Sequence, residues 1–218
     1  MTNILTQGAT KDDITRLREI AEAGRHMPLL GGRHMVVWGS AVALASVVHG
    51  AIATEIVKLP PISIAAAWFA IMLAAAAITR LPAFNTGISR DATDMGNRIE
   101  RAVWQVGGAF LGLSALGIFT LAMVMVQKSG DASYFRFFAM MPTLTFGVYA
   151  IILRAAAETS GVGQLRSASW IALVFAVGCI LLIGLPSQFI LSAMGALLVS
   201  VMPGLRLIKL ENGGHNGQ

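Results

Sequence analysis

Charge is what this 218-residue sequence has least of: only 12% of its residues are Asp, Glu, Lys or Arg. A soluble domain of this size carries about twice that fraction. There is a single cysteine, Cys179, which excludes an intrachain disulfide framework, a CxxC metal knuckle and a CxxCH haem-attachment site. No P-loop, HExxH or GxSxG motif occurs, and no paired carboxylates with a recognisable geometry. The sequence therefore points to no enzyme class, no catalytic residue, no metal site and no cofactor. No signal peptide is evident, because the first apolar block begins behind a charged segment and is too long for a signal h-region.

What is abundant is apolar sequence. Hydrophobic residues make up 56% of the chain and mean hydropathy is +0.71. They fall in blocks near the roughly 20 residues that a helix needs to cross a hydrocarbon core. Six spans are expected, at 36–57, 62–79, 102–126, 137–153, 167–185 and 188–205. The fold class is thus an all-α polytopic membrane bundle. A cytoplasmic segment, 1–35, precedes the spans, and a cytoplasmic tail, 206–218, follows them. Proline supports the boundaries: Pro60-Pro61 and Pro186 sit in tight turns, Pro82 and Pro203 follow or end apolar runs, and only Pro142 falls well inside a span.

Thirteen of the 16 Lys and Arg residues lie before the first span, in the second-to-third and fourth-to-fifth loops, and in the tail. The other three, Lys58, Lys128 and Arg136, lie on the opposite side. The positive-inside rule then places both termini in the cytoplasm of a bacterial inner membrane. This also explains the net charge of +5 without nucleic acid. Arg33 and Trp38, Arg101 and Trp104, and Arg166 and Trp170 open the three outward-going spans alike. A threefold hairpin repeat and ordinary flank-and-belt placement both produce that pattern.

The segment 11–24 reads as a short amphipathic helix. Thr10 and Asp13 form a capping pattern, and Ile14, Leu17 and Ile20 recur at helical spacing. Its acidic and basic residues balance, whereas a lipid-surface helix is rich in Lys and Arg. Ile14, Leu17 and Ile20 are therefore candidates for docking on protein, either the chain's own loops or a partner. GRHM then occurs twice, at 24–27 and 32–35, around Pro28 and Gly31-Gly32. An interfacial elbow contacting phosphates accounts for it better than a copper site, because no carboxylate or Cys completes a ligand set. The stretch from Ala21-Glu22 through Gly24-Arg25, Pro28-Leu29-Leu30-Gly31-Gly32-Arg33 and Trp38-Gly39 resembles a segment of small uncharacterised bacterial inner-membrane proteins, pattern AExGRxxPLLGGRxxxxWG. The resemblance covers about 20 of 218 residues. Members of that group are often paired with a winged-helix regulator, so it implies a regulatory or accessory role and a transcriptional regulator among the candidate partners. It transfers no catalytic residue.

Within the spans, His49 lies roughly 20 Å in from the cytoplasmic end at about 1.5 Å per residue, beside a small-residue stripe of Ser46, Gly50 and Thr54. It is a candidate intramembrane polar site, with an interhelical hydrogen bond as the plain alternative. Pro142 is expected to kink the fourth span and free the carbonyl of Phe138, with Thr143 and Thr145 offering hydroxyls nearby. Gly108 and Gly112 form GxxxG in the third span. They are expected to pack internally, a homo-oligomer seam being the alternative. Two function classes follow: a regulatory, signalling or accessory protein with a cytoplasmic partner, and a small-molecule transporter.

Overall fold

The computed structural model describes residue 15, residues 31–81 and residues 95–215, the last with side chains over 101–209. The segment carrying Ile14, Leu17 and Ile20 lies outside the described residues. Among the described residues every regular element is helical: α1 (Gly32–Ala53), α2 (Ile62–Arg80), α3 (Met95–Ser129), a 3-10 segment (Ala132–Met140) running into α4 (Met141–Ser160), α5 (Gly163–Leu181), α6 (Ser187–Ala196), a π-helical turn (Leu197–Val201) and α7 (Met202–His215). Six helical units are long and apolar enough to cross a membrane: Gly32–Ala53, Ile62–Arg80, Arg101–Ser129, Ala132–Ser160, Gly163–Leu181 and Ser187–Lys209.

Local chemistry sets the breaks. Pro60 and Pro61 deny α2 a preceding helical turn, and Pro61 stands at its N-cap with φ −55°. Gly161, at φ +72°, closes α4 in the left-handed conformation with its N–H on the Ala157 carbonyl. Two expected boundaries shift. The first span begins at Gly32 rather than residue 36, so Arg33 and His34 belong to the helix. Pro203 does not end the sixth span: the helix continues through it to His215. The π turn explains this. It lies just before Pro203, and its wider ring carries the Met202 N–H to the Leu197 carbonyl, five residues back. A proline ring collides with the carbonyl four residues back in a regular α-helix, and the widened turn relieves that crowding.

α1 is the central element, packed against α2 on one side and against α6, the π turn and α7 on the other. Its antiparallel register with the sixth span is tight. An added Cβ on Gly39 would lie 2.6 Å from the Cβ of Ser200, and one on Gly204 would lie 2.7 Å from the Gly32 carbonyl oxygen. Small residues let these two backbones approach, as is usual for helices in lipid. Three apolar layers stack along the bundle. One is built around Trp68, Phe135 and Phe138, a middle one around Val42, Phe146 and Ala196, and one at the arginine-bearing end around Tyr149, Leu153 and Leu165. α3 lies at the periphery, and most of its span is exposed.

Candidate functional site

Among the described residues, all the buried Ser, Thr, His and Gln side chains but Ser169 of the fifth span lie on the first, fourth and sixth spans. Ser46, His49, Thr145, Gln188, Ser192 and Ser200 are all buried. Placing a hydroxyl, an imidazole or a carboxamide in such an interior costs free energy unless it is hydrogen-bonded. Their partners therefore define what the site is.

At the end remote from most of the arginines, the Trp68 indole N–H donates to His49 Nδ1 at 3.2 Å. An accepting Nδ1 carries no hydrogen, which makes His49 the neutral tautomer with its proton on Nε2. The imidazole also packs on the Phe189 ring, centroids 4.3 Å apart and 40° tilted. His49 thus binds α1 to both α2 and α6. One turn further along α1, Ser46 donates to the Val42 carbonyl at 2.8 Å and pairs with the Ser192 hydroxyl at 2.7 Å. A hydroxyl has one hydrogen, so Ser192 is the donor in that pair. Beyond the apolar layer of Val42, Phe146 and Ala196, Ser200 donates to the Met35 carbonyl at 2.7 Å and meets the Tyr149 hydroxyl.

Pro142 is placed differently from the expectation. It occupies the first turn of α4, at the junction with the 3-10 segment, and not the middle of an α-helix. The Phe138 carbonyl is not freed, since it accepts the Met141 N–H. In a 3-10 pattern the carbonyl of Ala139 would take the N–H of residue 142, and proline has none. The side chain of Gln188 supplies it: Nε2 donates to the Ala139 oxygen at 2.6 Å. Thr145 is buried in the same wall of α4. Two atoms there have no partner, Gln188 Oε1 and Thr143 Oγ1.

The structure sets Ser46, His49 and Gly50 of the first span against Ser192 and Phe189 of the sixth, whereas Pro142, Thr143 and Thr145 stand at the start of α4. Gly50 lies against the Phe189 side chain, where an added Cβ would stand 2.9 Å from the Phe189 Cβ. Gly108 and Gly112 belong to neither group. Both are exposed, and an added Cβ on either would meet nothing within 4 Å. The internal contact of the third span falls instead on Gly107, against Val148 and Ile152. The reason is angular: neighbouring residues of a helix point about 100° apart, so Gly107 and Gly108 cannot share a face. Gln188 and Trp68 are missed by sequence reasoning, although each carries a signal. One is a carboxamide just after Pro186 at the head of an apolar run, the other a tryptophan away from the arginine flanks where the remaining three stand.

At the arginine-bearing end Glu158 bridges two spans, bonded to Arg154 Nε at 2.9 Å and to Arg166 at 3.2 Å. Among the described residues no group of three His, Cys, Asp or Glu is arranged to hold a metal. No protein-family model, curated protein or solved structure matches the chain.

Proposed function

We propose that this chain is an integral membrane protein of regulatory, signalling or accessory type, set in a bacterial inner membrane with both termini in the cytoplasm. Its cytoplasmic face, made by residues 1–35, 80–101, 154–166 and the tail from 206, meets a protein partner. The observation that carries this reading is the division of Lys and Arg, 13 against 3, between the two sides. The buried polar groups support it as well. Most are bonded across helices, to another side chain or to a backbone carbonyl, which is how side chains brace a scaffold rather than perform chemistry. The resemblance of the segment from Ala21 to Gly39 favours a transcriptional regulator as the partner.

The test compares the full chain with a form lacking residues 1–24, each purified in mild detergent. The truncated form is expected to insert in the membrane and to lose a specific cytoplasmic partner. Identical partners in both preparations would overturn the docking role of Ile14, Leu17 and Ile20. A reporter fused after residue 218, active only in the cytoplasm, checks the orientation.

A second reading, a small-molecule permease, is favoured by one observation. The fourth and sixth spans are both irregular, through the 3-10 segment that leads into Pro142 and the π turn before Pro203, and the π turn packs on the first span. Carriers build substrate sites from interrupted helices. Solute uptake into proteoliposomes that is lost on Gln188→Leu would favour this reading over the first.

A further inference from the structure

The Gln188 carboxamide is completely buried, yet only half of it is used. Its Nε2 is committed to the Ala139 carbonyl at 2.6 Å, and its Oε1 receives no hydrogen from any described residue. The orientation is not arbitrary. Turned over, the amide would set its oxygen against the Ala139 oxygen, two acceptors in repulsive contact. The free acceptor is therefore held in place by the proline that orphaned Ala139. The Thr143 hydroxyl, one residue beyond Pro142, is also buried and unpartnered. A buried amide oxygen in this state seeks a donor.

The surroundings set the donor's charge. The buried described residues include no Asp or Glu, so a cation would enter without a counter-charge and at high desolvation cost. A neutral O–H or N–H fits. We infer that the junction of the fourth and sixth spans is a binding site for a small neutral hydrogen-bond donor, held at Gln188 Oε1 with Thr143 Oγ1 as the second contact. Two sources share this chemistry, a trapped water and a small polar solute such as an amide or a polyol. The inference is independent of the cytoplasmic-partner reading.

The test uses the full chain in lipid nanodiscs. A density map fine enough to show ordered water is expected to contain a peak within about 3.2 Å of Gln188 Oε1. Acetamide and glycerol are then titrated separately while the unfolding temperature is followed. A concentration-dependent rise in the wild type, absent in Gln188→Met, assigns the donor to a solute, since a ligand of the folded state stabilises by mass action. A density peak with no such response assigns it to water. No peak and no response overturns the site. The map is taken on the wild-type chain, so it remains decisive even where Gln188→Met misfolds.

Discussion

The indole of Trp68 and the imidazole of His49 are joined by a single hydrogen bond of 3.2 Å, donated by Nε1 to Nδ1. Both rings are buried, and the bond links α1 to α2. Trp68→Phe keeps most of the apolar volume and leaves Nδ1 without a donor. In a double-mutant cycle with His49→Phe, the coupling is expected near about 0.6 kcal/mol and no more than about 1.7 kcal/mol, the range for interhelical bonds in lipid. Steric-trapping or detergent unfolding measures it. Strict additivity would remove the bond from the stability of the bundle.

Glycines divide into two groups by what surrounds them. Gly204→Ala drives a Cβ against the Gly32 backbone oxygen, and Gly39→Ala against Ser200 in the π turn. Each is expected to destabilise by about 1–3 kcal/mol, the usual cost of overpacking. Gly108→Ala and Gly112→Ala meet open space. They are expected to be neutral or to stabilise by up to about 1 kcal/mol through helix propensity. If they destabilise as much as Gly204→Ala does, the exposed face of α3 is covered by another chain in the membrane.

Pro142 and Gln188 are expected to be epistatic. Gln188→Leu in the wild type strands the Ala139 carbonyl, at a cost of about 1–3 kcal/mol. Pro142→Ala restores a backbone N–H able to reach that carbonyl, so Gln188→Leu should cost less in that background. Equal costs in the two backgrounds would show that Gln188 does not replace the missing donor.

Acid sensitivity is expected at the short connection between α3 and the 3-10 segment. Hydrogen bonds from the Ser133 hydroxyl, then from its backbone N–H, hold the exposed Asp131 carboxyl below the usual range, with Arg136 adding to the effect. A carboxylate depressed in the folded state stabilises above its unfolded value of about 4, and that contribution disappears as pH falls through the lower folded value. Protection of the Ser133 amide against hydrogen exchange should therefore drop on acidification below about pH 4. In Asp131→Ala it should be low and independent of pH.

The six long apolar helices are legible in the sequence because the capacity to cross a membrane is written in composition and length, which need no knowledge of contacts. Sequence alone sets the second at 62–79, against Ile62–Arg80 in the structure. The sixth comes out short because proline reads as a breaker of a regular α-helix, while the fourth, 137–153 against Ala132–Ser160, is short at both ends and away from Pro142. At Pro142 the chain enters through a 3-10 segment, and at Pro203 it widens beforehand. Those responses depend on neighbours, Gln188 in one case and the close approach of α1 in the other. His49 is legible as a polar site, but its partner is not, since nothing along the chain says that Trp68 turns inward. The GxxxG motif names the right helix and the wrong face.

The π turn has a geometric consequence. Along α1, Gly39 and Ser46 are seven residues apart, yet their counterparts on the sixth span, Ser200 and Ser192, are eight apart. The widened turn absorbs the surplus residue and keeps both contacts on one face. One residue corresponds to about 100° of helical rotation. Relocating the bulge by a single position would swing the side chain it passes through that angle while the ends of the helix kept their places. The sixth span thus contains a screw joint, at the level where its backbone touches the first.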